Sequence, residues 1–345
     1  MTGSRQRTHQ RGAQALAAGC FATLFGLHAA MAGDPIRVAY VSSSLASIAL
    51  VVANAKGYFK EQGLDATLVP FDAAQPIAIA ATSGDVDFGS TGLTDAFCVL
   101  ANQGALKIIG GDTNEQPGFH SLGFLASNQA YAAGVRSVGD FTGHSVGIPQ
   151  FGTVFHYALG RTLEHRGIGL KDVRVIALQS NANVASALTG GQIDASIMSS
   201  ANLFEVVDRG GAKSIGWLED EVKGAQTSGT FTTAKIANNR PDTVRHFLAA
   251  FRTAAQAWDS AFVDAQGNRA DQPSAPAMIA LAAKALNQSP EVIKESVTYV
   301  GPEASVHVAD IQVMLDWFES HGMQKSHIDA MSLIDTRYAK LEGKE

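Results

Sequence analysis

Cysteine is nearly absent: among 345 residues only Cys20 and Cys98 carry a thiol. That excludes a disulfide framework and a cysteine-based structural zinc site, so a stable fold must rest on ordinary apolar cores. Basic clusters are missing too. Lysine and arginine are scattered singly, which argues against nucleic acid as a partner. The chain has no P-loop and no HExxH string, and its ten histidines are dispersed. No catalytic residue, metal or cofactor is therefore expected, and the acids Asp87 and Asp95 read as capping or packing groups. Beyond residue 32 no apolar run is long enough to span a bilayer.

The chain opens like an export signal. Arg5, Arg7 and Arg11 form a basic start without acids, and residues 13–30 are largely apolar. Ala30-Met31-Ala32 then offers small residues where a signal peptidase reads them. Residues 1–32 are expected to be a signal peptide that sends the remainder to the periplasm. A lipoprotein signal around Cys20 is the weaker reading, because the apolar run continues past it. Removing three arginines moves the formal net charge from −6 to about −9.

From Ile36 onward short apolar strands alternate with helical stretches, the pattern of parallel α/β sheets. Strands are predicted over 36–41, 64–69, 86–88, 106–109, 145–148, 173–178, 193–198 and 214–217, with helices between them. Pro70 is expected to end the second strand. From Pro241 the chain reads almost wholly helical, with segments over 242–262, 276–286, 290–296 and 308–321. One internal echo stands out: Thr82-Ser83-Gly84-Asp85-Val86-Asp87-Phe88 against Thr189-Gly190-Gly191-Gln192-Ile193-Asp194-Ala195. It suggests two halves of similar topology, each with a helix, a glycine cap and a short strand.

Gly57-Tyr58-Phe59-Lys60-Glu61-Gln62-Gly63-Leu64-Asp65 resembles a segment of periplasmic binding proteins for sulfonates, taurine and nitrate. Residues 83–89, residues 141–147, Gly152-Thr153 and residues 191–195 follow in that family's order, as does Pro241-Asp242-Thr243-Val244. The resemblance implies an α/β, type II periplasmic binding protein: two α/β lobes joined by a two-segment hinge, with a helical C-terminal extension. The crossovers are expected near residues 122–127 and 228–234. Lobe one would then comprise residues 34–126 and 228–345, and lobe two residues 127–227. The implied role is the extracytoplasmic substrate-binding component of an ABC importer. Its partners would be a small-molecule ligand and the importer's membrane permease and ATPase, and the chain would act as a monomer.

In open α/β sheets ligands sit beyond the carboxyl ends of the strands, where helix N-termini converge. The loops that fit are Ser43 and Ser44, then Thr91 and Gly92, then Gln150, Gly152 and Thr153 with His156 one turn on. Ser199, Ser200 and Asn202 form a fourth, and Phe119 with His120 adds an aromatic wall. None carries Arg or Lys, so no bidentate clamp for a carboxylate or sulfonate is visible. The ligand class expected is a small sulfonate, carboxylate or aromatic acid, with a pyrimidine precursor of thiamine as the alternative. An enzyme on the same fold and a sensor-linked binding protein are the readings from other classes.

Overall fold

The computed structural model describes residues 33–342 except Ser43 and Lys223. The signal-peptide reading and the candidate Ser43 therefore lie outside the described residues.

Among the described residues ten strands are present: β1 (Asp34–Val41), β2 (Leu64–Phe71), β3 (Phe88–Gly92), β4 (Leu106–Gly111), β5 (Leu122–Ser127), β6 (Ser145–Ile148), β7 (Arg174–Ala177), β8 (Ala195–Ser199), β9 (Ala212–Trp217) and β10 (Ser228–Thr233). The helices between them are α1 (Ile48–Lys56), α2 (Tyr58–Glu61), α3 (Gln75–Ser83), α4 (Asp95–Asn102), α5 (Asn128–Ala133), α6 (Val154–His165), α7 (Asn181–Thr189) and α8 (Ser200–Asp208). A helical C-terminal part follows: α9 (Ala234–Asn239), α10 (Pro241–Phe262), α11 (Ala275–Leu286), α12 (Pro290–Glu295), α13 (Val308–Ser320) and α14 (Ala330–Leu333).

The strands form two five-stranded sheets, ordered β2-β1-β3-β10-β4 and β7-β6-β8-β5-β9. Each sheet is the centre of one α/β lobe. Neither is purely parallel: β10 runs antiparallel to β3 and β4, and β5 antiparallel to β8 and β9. These two strands are the segments read from sequence as crossovers. Each enters its sheet directly after the chain has left the other one.

Several local predictions are corrected. β2 does not stop before Pro70 but runs through it to Phe71, with Pro70 opposite Tyr40. As β2 is an edge strand, the missing N–H leaves no ladder bond unmade. Ser90, Thr91 and Gly92 are not a loop after the strand; they are its body. The helix expected over 45–56 begins as a 3-10 turn, Leu45–Ser47, before α1.

Apolar spacing decides where the C-terminal helices lie. On α10, Val244, Phe247, Leu248, Phe251, Ala254, Ala255 and Trp258 recur at helical intervals and are all buried. Phe247 stacks on Phe88 of β3 with ring centroids 4.3 Å apart, so the helix is fastened to the first sheet. Fully burying one such side chain contributes on the order of 2 kcal/mol. α13 packs on α4 of the first lobe and also reaches α6 of the second, where Trp317 sits over Gly160. Among the described residues no helix is long and apolar enough to cross a membrane.

Candidate functional site

The carboxyl ends of the parallel strands of both sheets face one cavity. Its wall takes Val41 from β1, Thr91 and Gly92 from β3, Thr113 from beyond β4, Gln150 from beyond β6 and Ser199 from β8. The antiparallel strands present their opposite ends to the same place, which brings in Ser121 and Leu122 at the start of β5 and Thr227 and Ser228 at the start of β10. Thr298, following α12, closes one side. The non-atom space amounts to about 790 Å³ counting solvent at the mouth, while the centre of a water molecule can reach about 60 Å³. The slot is narrow.

The lining is made of hydroxyls, two amides, aliphatic groups and the ring of Phe155. Among the described residues no lysine, arginine or carboxylate lines it. Thr91 is 1% exposed and its Oγ1 has no hydrogen-bond partner; the same holds for Oε1 of Gln150. Buried polar atoms are normally satisfied, because leaving one bare costs about 1–3 kcal/mol. Other hydroxyls are engaged: Thr153 Oγ1 donates to the Gln150 carbonyl at 2.8 Å, and Thr113 Oγ1 lies 2.8 Å from Ser228 Oγ. Two helices open on the cavity without a side-chain cap, α6 after Thr153 and α8 after Ser199, whereas α1 continues the 3-10 turn that Ser44 caps by accepting the Ala46 N–H at 3.1 Å. By contrast α4 and α7 are capped by Thr94 and Ser180. Uncapped first turns leave N–H groups and the positive end of the helix dipole for a guest.

Of the residues singled out from sequence, Ser44, Thr91, Gly92, Gln150, Thr153, Ser199 and Ser200 line the cavity. Others stand behind it or away from it. Gly152 has a left-handed φ of 66°, and a Cβ there would fall 2.3 Å from Asp95 Oδ1. Its carbonyl accepts the Asp95 N–H at 2.8 Å, which ties the second lobe's rim to the first. His156 is buried, accepts the Gly152 N–H at Nδ1 over 3.3 Å, and packs edge-on to Phe151 and Trp317. Burial, aided by the facing His321, lowers its pKa to about 4, so the ring is neutral at pH 7. Asn202 donates to Ser199 Oγ at 2.7 Å, supporting the wall without lining it. Phe119 is buried edge-on to Tyr299, and His120 stacks on Trp217 at 4.1 Å, so neither forms the aromatic wall.

Sequence reasoning missed Thr113, Ser121, Thr227, Ser228, Asn181 and Thr298. They belong to strand starts, loop exits and the C-terminal part, and only the strand order brings them together. Metal-ligating side chains converge elsewhere. Among the described residues Asp316, Glu319 and His327 bring ligand atoms within 4.8 Å of one another, all exposed and none lining the cavity.

Two α/β lobes around one cleft define the architecture of periplasmic binding proteins. The chain belongs to the family described as "NMT1/THI5 like", whose pattern matches residues 45–261. A binding protein of Brucella abortus is 32% identical over 163 residues, which is 47% of this chain and 46% of that protein, so the chain matches about half the length of the curated relatives. The periplasmic aliphatic sulphonate binding protein SsuA from Escherichia coli has a similar fold, with a TM-score of 0.69 at 21% identity over 90% of this chain and 95% of that one. The periplasmic nitrate-binding protein NrtA from Synechocystis gives 0.68 at 13% identity over 86% and 84%.

Proposed function

We propose that this chain is the periplasmic substrate-binding component of an ABC importer and captures a small organic compound in the cavity between its lobes. One observation carries the reading: buried, unpartnered polar atoms from both lobes, Thr91 Oγ1 and Gln150 Oε1, belong to the same cavity wall. A guest that bonds both is held by both, and it favours the arrangement in which the rims touch. The rims already meet through Gln75 Nε2 donating to the Phe151 carbonyl at 2.8 Å and through the Asp95–Gly152 bond. The lobes separate about the β4–β5 and β9–β10 connections, and the ligand shifts that equilibrium by its differential affinity for the closed form. A permease that reads the closed form would then accept the cargo. Nothing in the wall performs bond-making chemistry, which supports a carrier over an enzyme.

The ligand class fits a small acid or sulfonate with an apolar body. Its charge would meet the uncapped starts of α6 and α8, and its body would meet Val41, Leu45, Val154 and Phe155. A second reading, a neutral pyrimidine, is favoured by the lack of any cationic side chain in the wall. A thermal-shift screen of alkanesulfonates, aromatic carboxylates and aminopyrimidines separates the two, since a ligand at a hundredfold its Kd stabilises by about 2.7 kcal/mol. No shift with any class, and no small molecule released from protein purified under native conditions, would refute capture in this cleft.

A further inference from the structure

A carboxyl with no cationic partner lies directly behind the wall. Asp112 follows β4 and has no exposure at all. Ser90 Oγ donates a hydrogen bond to its Oδ2, and its Oδ1 has no partner. Ser90 belongs to β3, and β3 and β4 are not neighbours, because β10 runs between them. The Ser90–Asp112 contact therefore spans the strand by which the chain returns from the second lobe, at Gly229, which pairs with both Thr91 and Gly111.

The residues beside this contact are cavity residues. Thr91 adjoins Ser90, Thr113 adjoins Asp112, and Ser228 opens β10 with its Oγ on Thr113. The groups facing Asp112 are neutral from every side. β3 brings Ser90, whose carbonyl also accepts from Ser47 Oγ at 3.2 Å. β10 brings Ser228 and Thr230, the latter donating to the Gly111 carbonyl at 3.3 Å. The outgoing crossover brings the Thr113 N–H. The next acid along it, Glu115, is bonded by Ser121 and faces Glu219 instead. Desolvation raises the Asp112 pKa to about 8, against the smaller opposing effects of Ser90 and the Thr113 N–H. The acid is thus neutral at pH 7.

We propose that Asp112 is a positioning residue for the cavity, and that its carboxyl must carry a proton for Thr91, Thr113 and Ser228 to stay where a guest needs them. Once ionised, it is a buried charge with one hydroxyl donor and one amide for company. The structure answers such a charge by admitting water, and water enters where the two connecting segments meet the cavity. This rests on the reading of the cavity as a capture site, but it can be tested apart from it. In full-length protein labelled with carboxyl-13C aspartate and 15N, the signal that vanishes in Asp112→Asn should titrate near pH 8. The amides of Thr91, Thr113 and Ser228 should move with the same midpoint, and stay still in Asp112→Asn, whose neutral amide can still accept from Ser90. A midpoint below pH 6, or three amides that ignore the titration, overturns the proposal; should the Asn variant not fold, the wild-type titration alone decides. With naphthalene-2-sulfonate as probe, affinity should fall up to tenfold per pH unit above the midpoint in the wild type and remain flat in Asp112→Asn. A probe that binds with no such difference rejects the role of the proton. A probe that fails to bind the wild type at pH 6 counts against capture of sulfonates, and the NMR titration still judges Asp112.

Discussion

In the first lobe Asp87 precedes β3; in the second, Asp194 precedes β8. Their carboxylates do the same work. Asp87 Oδ2 accepts the N–H of Arg37 at 2.7 Å, and its own N–H goes back to the Arg37 carbonyl at 2.8 Å. Asp194 Oδ2 accepts the N–H of Ser145 at 2.8 Å, and its N–H returns to the Ser145 carbonyl at 3.1 Å. Arg37 and Ser145 stand at corresponding places, each one residue before the pairing of β1 with β3 or β6 with β8. The strand orders agree as well, with β10 in the first sheet where β5 is in the second. The lobes differ in what surrounds this shared plan. Asp87 lies beside the permanent cation of Arg37, Asp194 beside His144, whose charge depends on protonation. The first lobe also carries α10 and its aromatic core, while the second leans on the C-terminal helices at Trp317. The C-terminal helices thus bridge the lobes, with α13 meeting both α4 and α6.

Breaking this bridge should have the largest effect. A Cβ at Gly160 would fall 2.1 Å from Trp317 Cζ2. Helix propensity alone favours Gly160→Ala by about 1 kcal/mol, whereas overpacking costs about 1–3 kcal/mol. We expect net destabilisation of about 2 kcal/mol in urea unfolding, and a gain in stability would show that Trp317 moves aside freely. Next come the paired junctions. Asp87→Ala and Asp194→Ala each remove a charge-assisted acceptor from a strand N–H, at about 1–2 kcal/mol apiece. Because Asp194 also accepts from Ser145 Oγ at 2.8 Å, its loss should be the larger. The reverse order would mean that the resemblance of the two junctions is only geometric.

This pairing was legible in the sequence as the echo around Asp87 and Asp194, because a carboxylate that must meet a neighbouring strand recurs wherever the same junction recurs. The glycine-capped helices and the α10 face were legible for a similar reason: their signals are local. The cavity was legible only in part. Ser44, Gln150 and Thr153 follow parallel strands and Thr91 lies at the carboxyl end of one, where the rule for open sheets applies. Thr113, Ser228 and Thr298 do not. Their place depends on β10 lying between β3 and β4, a long-range fact that no window of residues contains. Asp112, after Gly110-Gly111, is buried by that same strand order.

Comparing one hydroxyl from each lobe sharpens the functional reading. Thr91 Oγ1 bonds nothing, so Thr91→Val should leave stability unchanged or slightly raised and weaken ligand binding by about 1 kcal/mol, roughly fivefold. Thr153 Oγ1 holds the Gln150 carbonyl, so Thr153→Val should lower both binding and stability. Calorimetry beside thermal unfolding distinguishes the patterns, and equal loss of stability in both variants would show that Thr91 is structural.

The smallest effect is acid sensitivity in the second lobe. Burial works to raise the Asp194 pKa, but the N–H and hydroxyl of Ser145, together with His144, outweigh it and hold the group below its usual value. A depressed carboxylate pKa means that the unfolded chain binds the proton more readily. Its contribution is therefore complete above the ordinary aspartate range near pH 4 and is lost as pH falls through the native pKa. Because Asp194 is over a third exposed, solvent screening keeps this contribution to a few tenths of a kcal/mol. Asp194→Asn should accordingly show a slightly shallower loss of stability between pH 5 and pH 3 than the wild type. Should the two curves run parallel, His144 and Ser145 hold the strand without help from the charge, and the two lobes would share their junction geometry but not its electrostatics.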